Sequence, residues 1–236
     1  MGFINDILPL FKKREITLKE SCKEVEDVYS FIFEKEEGLN WKAGQHGIFT
    51  ITHEKIKKPT RPFSVASASS EGIIKITMKI SDNPSQFKKA MLGLKKGMKV
   101  SMRGPFGPLY MNSTNPSLFI AGGIGITPFR GMLKEIEIAN EHNLNPVQLI
   151  YIEGKGSFVY KEELDTICKN ASIKIDYLQA REELYNHIES FTSAHGNKGK
   201  YYLGGPKPMV DSVVLFLKSK GINKNNIKKD IFFGYK

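Results

Sequence analysis

Leu118-Phe-Ile-Ala-Gly-Gly-Ile-Gly-Ile-Thr-Pro-Phe129 is the stretch that decides the fold. A buried-type apolar run passes into a glycine-rich turn and then into a helical pattern. Strand, turn and helix in that order leave free backbone N–H groups at the positive end of a helix dipole, which is an anion site. Gly122, Gly123 and Gly125 let the backbone approach a phosphate closely. Thr127 is expected to cap the helix, and Pro128 suits its first position. The spacing is G-x-G-x-x-P, not the G-x-G-x-x-G of the common dinucleotide turn. A tight glycine turn with no ligand is the bland alternative; the strand–turn–helix context favours a bound pyrophosphate.

Downstream of this turn, apolar strands alternate with helical patterns. Phe129, Met132, Leu133, Ile136 and Ala139 recur at helical spacing. Val147–Ile152, Ile173–Leu178 and Lys200–Leu203 read as strands, and Lys161–Lys169, Glu182–Ser193 and Met209–Lys220 as helices. This alternation implies a parallel sheet with helices on both faces. Upstream the character changes. Val28–Phe33 and Ile74–Ile80 alternate at period two, Ile48–Ile51 and Met98–Met102 are short β-rich runs, and a helix is expected near Pro84–Leu94. Such strands with glycine and proline turns suggest a sandwich or small barrel. The change falls near Asn112-Ser-Thr-Asn-Pro116, dividing the chain into a β domain, 1–112, and an α/β domain, 113–236.

The 236 residues carry 35 Lys plus Arg against 25 Asp plus Glu, a formal charge of +10. The excess is spread along the chain, which suggests an anionic partner or cofactor and argues against a nucleic-acid arm. Two distant cysteines, Cys22 and Cys168, exclude both a zinc pattern and a cysteine-ligated iron–sulfur cluster, and they suit a reducing, cytoplasmic compartment. His46, His53, His142, His187 and His195 have no metal-like spacing, so no metal site is expected. No apolar run approaches the ~20 residues of a membrane span. The start, Met1–Arg14, is apolar first and basic second, the reverse of a signal peptide, and reads as an amphipathic segment packed on its own domain or lying on a membrane.

Three further stretches carry chemical potential. Arg61-Pro-Phe-Ser-Val-Ala-Ser67 combines a guanidinium, an aromatic ring and a hydroxyl on one strand. Period two puts Arg61 and Phe63 on one face and Ser64 on the other, unless a ligand lies along the strand edge. Tyr201–Met209 is a second strand running into a glycine turn, Gly204-Gly-Pro206, and a helix start. The aromatic end, Asp230-Ile-Phe-Phe-Gly-Tyr-Lys236, either packs on the core or covers a flat ligand.

Together and in this order the motifs resemble the ferredoxin–NADP reductase superfamily, which reads R-x-[YF]-S, G-P-x-G, A-G-G-x-G-I-T-P, C-G-P-x-x-M and a final E-x-F. Here they stand as Arg61-Pro-Phe-Ser64, Gly104-Pro-Phe-Gly107, Ala121–Pro128, Gly204–Met209 and Asp230-Ile-Phe232. The resemblance implies a six-stranded antiparallel Greek-key barrel that binds FAD, followed by an α/β parallel-sheet domain that binds NADP or NAD. It implies that Arg61 pairs with the flavin pyrophosphate, with Pro62 beside it, that Phe63 stacks on the isoalloxazine, and that Ser64 hydrogen-bonds flavin N5. Val65, Ala66 and Ser67 would run beside the flavin tail, Ser85 would open a second phosphate-binding helix, and Met78, Lys79 and Ile80 would lie near the ribityl and adenine side. Gly123, Gly125, Thr127, Pro128, Gly204, Gly205 and Pro206 would serve the nicotinamide dinucleotide. Phe232 and Tyr235 would lie at the flavin, with Tyr235 as a gate over the ring.

The family's Cys is Gly204 here, which leaves that position open on this reading; its terminal Glu is Asp230. For donor choice, Glu153 ends the second strand of the α/β half, where an acid would hold the ribose 2′-OH of NAD. Arg181 matches the family's 2′-phosphate reader, with Lys155, Lys198 and Lys200 available, and the balance favours NADPH. The implied activity is a flavin-dependent oxidoreductase passing hydride from NAD(P)H to FAD and electrons on to an acceptor. The acceptor would be a small acidic carrier such as ferredoxin or flavodoxin, or free flavin or ferric chelate. The other readings are an electron-transfer subunit of a larger redox complex and a nucleotide-binding sensor without flavin.

Overall fold

The computed structural model describes residues 12–111, 114–139 and 146–232. The expected N-terminal amphipathic segment, apart from its last residues, lies outside them, as do His142 and the tail from Phe233 to Lys236 that includes Tyr235. The chain forms two compact units, residues 1–110 and 111–236.

The first unit comprises β1 (Lys13–Val25), β2 (Val28–Glu34), β3 (His46–Ile51), β4 (Thr60–Ser64), β5 (Ile73–Lys79), α1 (Gln86–Leu92) and β6 (Lys99–Phe106). The six strands make one sheet in the order β4-β3-β6-β1-β2-β5, antiparallel throughout. Just past β4 the two ends of the sheet meet. The Val65 N–H, donating to Gln45 O at 2.9 Å, extends the β3–β4 ladder, and the next residue crosses to β5: the Ala66 N–H donates to Lys75 O at 2.7 Å. The Ser67 hydroxyl then donates to Ile73 O at 2.8 Å and accepts from the Lys75 N–H at 3.0 Å. These bonds curl the sheet into the expected barrel. Inside lie Phe31, Phe33, Phe49, Ile74, Ile76, Met78 and Met102, and α1 adds Phe87, Ala90 and Met91 to the same core.

β1 is not legible as a strand in the sequence, because only Ile16 and Leu18 of it are buried and charged residues fill most of the rest. It is held by its neighbours instead: Lys13–Thr17 pair with β6 and Leu18–Val25 with β2, with bulges after Leu18 and Lys23. β5 is expected from its alternation to be half-buried, and in the fold it is covered on both faces. Its polar residues have partners on the outer side: Lys75 Nζ lies 3.0 Å from a Glu24 carboxylate oxygen, and the Thr77 and Ser30 hydroxyls are 2.6 Å apart.

The second unit comprises β7 (Ser117–Gly122), α2 (Thr127–Ala139), β8 (Val147–Ile152), α3 (Lys161–Asn170), β9 (Lys174–Leu178), α4 (Arg181–His195), β10 (Lys200–Pro206), α5 (Lys207–Ser219) and β11 (Ile227–Phe232). The five strands are parallel, in the order β11-β10-β7-β8-β9. β7 is wholly buried and β8 nearly so, which is why they read as unbroken apolar runs. The chain winds from β7 through β8 to β9, then returns to place β10 on the other side of β7. The winding direction therefore reverses between β7 and β10, the kind of crevice where open α/β sheets bind ligands. α2 buries Phe129, Met132, Leu133 and Ile136 as its spacing predicts, while Ala139 is exposed at the helix end. It also buries Arg130, paired with Glu163 of α3 (Nε to Oε2, 3.2 Å). β11, rich in lysine, is an edge strand without a readable sequence pattern.

If the Ser67 hydroxyl closes the barrel, Ser67→Ala removes the partner of a part-buried carbonyl and of a buried N–H. The variant is expected to lose about 1–3 kcal/mol of stability. Urea midpoints of native and variant protein measure it; an unchanged midpoint would remove the hydroxyl from the closure.

Candidate functional site

In the second unit, the residues singled out for nucleotide binding gather at one edge of the sheet. Gly123 follows β7, Glu153 follows β8 and Arg181 follows β9, while Gly204-Gly-Pro206 ends β10 and Phe232 ends β11. In a parallel sheet these are all C-terminal strand ends. The helix start differs from expectation. A 3₁₀ turn, Gly123–Ile126, runs directly into α2, and Thr127 already has helical angles (φ −55°, ψ −49°). Its buried hydroxyl donates back to Ile124 O at 3.1 Å and does not act as an N-cap acceptor. Pro128 is therefore the second residue of α2, and the helical run begins one turn earlier, at the glycines themselves. The free N–H groups of that end thus belong to the glycine turn, which strengthens it as an anion site.

Two glycines are required for another reason than phosphate access. A Cβ on Gly125 would stand 2.2 Å from Gly204 O, and one on Gly204 would stand 2.5 Å from Gly125 O and 3.0 Å from the Phe129 ring. The turns after β7 and at the end of β10 touch backbone to backbone. Gly125 is not among the glycines with positive φ, so close approach and not φ demands it. Position 204 is likewise closed by Gly125, not open. Met209, from the first turn of α5, fills the adjoining space: its Sδ would be 2.3 Å from a Cβ on Gly122 and its Cε 2.9 Å from one on Gly205.

Gly123 does have left-handed backbone (φ +53°), and a Cβ there would meet the Glu153 carboxylate at 3.2 Å. Glu153 accepts from the Lys155 N–H at 3.2 Å. Arg181 is the first residue of α4 and exposed, after Ala180, which offers no side-chain cap. Phe232 is partly buried and pairs with Pro206, as Asp230 does with Gly204.

In the first unit, β4 is the first strand in the sheet order, so along Thr60–Ser64 one edge carries no ladder partner. A ligand lying along that edge, the exception the period-two reading allows, would have Arg61 and Phe63 on one side and Ser64 on the other. Arg61 donates to Thr60 O at 2.7 Å, and its guanidinium carbon lies 6.0 Å from the Phe87 ring centre. Phe63 stacks on Phe87 (centroids 5.6 Å apart, planes at 30°) and meets Phe49 edge-on at 6.0 Å. The Arg61-Pro-Phe63 segment therefore lies beside the start of α1. There Ser85 accepts from the Lys88 N–H at 3.4 Å, and Gln86 accepts from the Lys57 N–H at 3.2 Å. Burial pushes the Lys88 ammonium below its usual range. Arg61, Ser85 and the α1 start form one cationic, donor-rich corner.

Other expected contacts are displaced into the fold. Val65, Ala66, Ser67 and Met78 have no exposed surface, and Ile80 is buried. Ala66 and Ser67 close the barrel, and Val65, Met78 and Ile80 belong to its core. Lys79 lies on the outside, 3.3 Å from Asp27. Burial raises the Cys168 thiol to about 12, so it is inert. Among the described residues there is no cluster of His, Cys, Asp and Glu able to hold a metal, and no helix is long and apolar enough to cross a membrane.

Residues 11–110 match the family of FAD-binding domains, and residues 119–214 match the oxidoreductase NAD-binding domain. The chain is 29% identical over 213 residues to the toluate 1,2-dioxygenase electron transfer component of Pseudomonas putida, covering 84% of this chain and 61% of that one. It is 26% identical over 200 residues to one subunit of a Na(+)-translocating NADH-quinone reductase of Haemophilus influenzae, covering 74% of this chain and 48% of that protein. It thus spans about half to three-fifths of the curated relatives it matches. In fold it is similar to ferredoxin-NADP+ reductase from Plasmodium falciparum (TM-score 0.78, 18% identity, 93% and 96% of the two chains). It is also similar to the FAD/NAD-binding domain of nitric oxide dioxygenase from Vibrio cholerae (TM-score 0.75, 22% identity, 93% and 98%). One chain thus carries an FAD-binding domain followed by an oxidoreductase NAD-binding domain, in a fold similar to that of ferredoxin-NADP+ reductase.

Proposed function

We propose that the chain is a flavoprotein reductase that takes hydride from NAD(P)H onto FAD and passes electrons to a further acceptor. The observation that carries the reading is a glycine turn at the reversal point of a parallel sheet in one unit, joined in sequence to a barrel that offers Arg61 and Ser64 along a free strand edge. The donor sets fit the two cofactors: a permanently charged guanidinium beside a helix start for the FAD pyrophosphate, and a glycine-rich helical N-terminus for the nicotinamide dinucleotide. FAD, when bound, supplies the redox chemistry.

In this reading Arg61 and Ser85 hold the flavin pyrophosphate, Pro62 and Phe63 flank the flavin, and Ser64 offers its hydroxyl to N5. Gly123 and Gly125 hold the dinucleotide pyrophosphate on backbone N–H groups, while Gly205 and Pro206 border the nicotinamide. Phe232 bounds the same edge. Arg181 meets the 2′-phosphate of NADPH, against Glu153, which favours NADH from beside Gly123. No protein acid or base is needed for the hydride step. The +10 charge supports a small acidic carrier as acceptor. The relatives' names, an electron transfer component and a quinone reductase, support onward transfer to a further redox partner. Two free cysteines support a reducing, cytoplasmic setting.

Arg61→Ala is expected to lose FAD while keeping the fold, since a charge-assisted hydrogen bond contributes about 1.5–3 kcal/mol. Flavin content after gel filtration at limiting protein concentration measures it, and full retention would refute the assignment. Gly125→Ala forces the two turns apart. It should abolish reduction by NADPH and NADH while dithionite still bleaches the flavin; reduction at the native rate would show the contact to be dispensable. Arg181→Ala should lower kcat/KM for NADPH by at least about tenfold more than for NADH, because only NADPH carries the 2′-phosphate. An equal change for both donors would leave Glu153 as the determinant.

A further inference from the structure

His46 begins β3 and stands directly opposite Ser64 of β4 and, on its other side, opposite Phe106 of β6. Residues directly opposed in an antiparallel pair project to the same face with Cβ atoms about 4.5–5.5 Å apart. The same register continues along the two strands, where Ile48 opposes Pro62 and Thr50 opposes Thr60, the two threonine hydroxyls being 3.0 Å apart. His46 therefore shares its face with Ser64. The imidazole is held from the other side. It meets the Phe106 ring edge-on, with centroids 4.4 Å apart. Gly107 has left-handed backbone (φ +119°), and a Cβ there would stand 2.8 Å from the ring's Nδ1 and Cε1. Gln45 fixes this turn: its Nε2 donates to Gly107 O at 3.1 Å while its Oε1 accepts from the Lys42 N–H at 3.1 Å. Gly107 thus makes room for the imidazole, while Gly104 makes room for the Phe106 ring. His46 is partly exposed, whereas Ser64 is buried.

We propose that His46 is a positioning residue for Ser64: an imidazole nitrogen engages the Ser64 hydroxyl across the strand pair and sets the direction in which that hydroxyl is offered to the flavin. The inference rests on the reading that Ser64 meets flavin N5. Phe106 and the side-chain-free Gly107 confine the ring, with its Nδ1–Cε1 edge beside Gly107. A side chain with no polar atom at position 46 no longer sets that direction.

The test uses the full-length holoprotein with oxidised FAD. His46→Ala is expected to slow anaerobic flavin reduction by NADPH about tenfold at unchanged FAD content. Added imidazole should restore much of the rate, and His46→Asn should retain most of it. The double variant with Ser64→Ala should be no slower than Ser64→Ala alone. Independently of turnover, ¹⁵N NMR of the His46 ring should report one fixed tautomer in native protein, and that signature should be lost in Ser64→Ala. A native rate in His46→Ala, or ring shifts indifferent to Ser64→Ala, would overturn the inference. If Ser64→Ala itself is reduced at the native rate, the placement of Ser64 at N5 fails and the inference falls with it. A slow Ser64→Ala beside a fast His46→Ala would sink the inference alone.

Discussion

A contact between two backbones without side chains, Gly125 against Gly204, governs the second unit. Neither residue can carry even a methyl group, because each Cα faces the other's carbonyl. The contact lies between β7 and β10, where the winding of the sheet reverses. It draws the turn that starts α2 against the end of β10, and Phe129 and Met209 are packed around the junction. Glycine costs conformational entropy on folding, about 0.5–1 kcal/mol relative to alanine in regular structure. A chain that places Gly122, Gly123, Gly125, Gly204 and Gly205 at one junction accepts that cost in exchange for bare backbone. The same shortage of side chains that lets the two turns meet also leaves helical N–H groups ready for a phosphate. Packing and binding are thus one requirement at this place, not two.

The first unit meets a different constraint. A barrel must close, yet a cofactor lying along a strand needs a strand edge. β4 satisfies both by being short. Along Thr60–Ser64 its outer edge has no ladder partner, and in the next three residues the chain crosses to β5 and closes the sheet through Ala66 and Ser67. The functional and structural halves of Arg61–Ser67 divide there. The first four residues reach the edge, Val65 enters the core, and Ala66 and Ser67 are consumed by the closure.

The motifs are readable in the sequence because their chemistry demands particular residue types, and the parallel unit is legible because β7 and β8 are buried on both faces. What the sequence conceals is decided by partners distant along the chain. β1 carries almost no apolar pattern and exists because β2 and β6 flank it. β11 is lysine-rich because it is an edge. The buried face of β5 that carries Lys75 and Thr77 looks like a solvent face until Glu24 and Ser30 supply partners. Thr127 looks like a cap because local rules cannot see that the 3₁₀ turn before it is already helical. His46 has no local signature because its neighbours, Ser64 and Phe106, are close only across the sheet.

β1 also has a temporal consequence. Its first residues pair with Lys99–Arg103, whereas its last pair with β2 close by in sequence. During synthesis the near half of this long strand can dock at once, but the far half must wait with its edge unpaired until β6 has emerged. Pairings of high sequence separation are slow, and unpaired strand edges are prone to association with other chains. The charged residues that hide this half of β1 from the pattern, Lys13, Arg14 and Glu15, suit a waiting edge that must stay soluble. The weak hydrophobic signature of the strand is thus suited to an interval in the life of the chain that the finished barrel no longer displays.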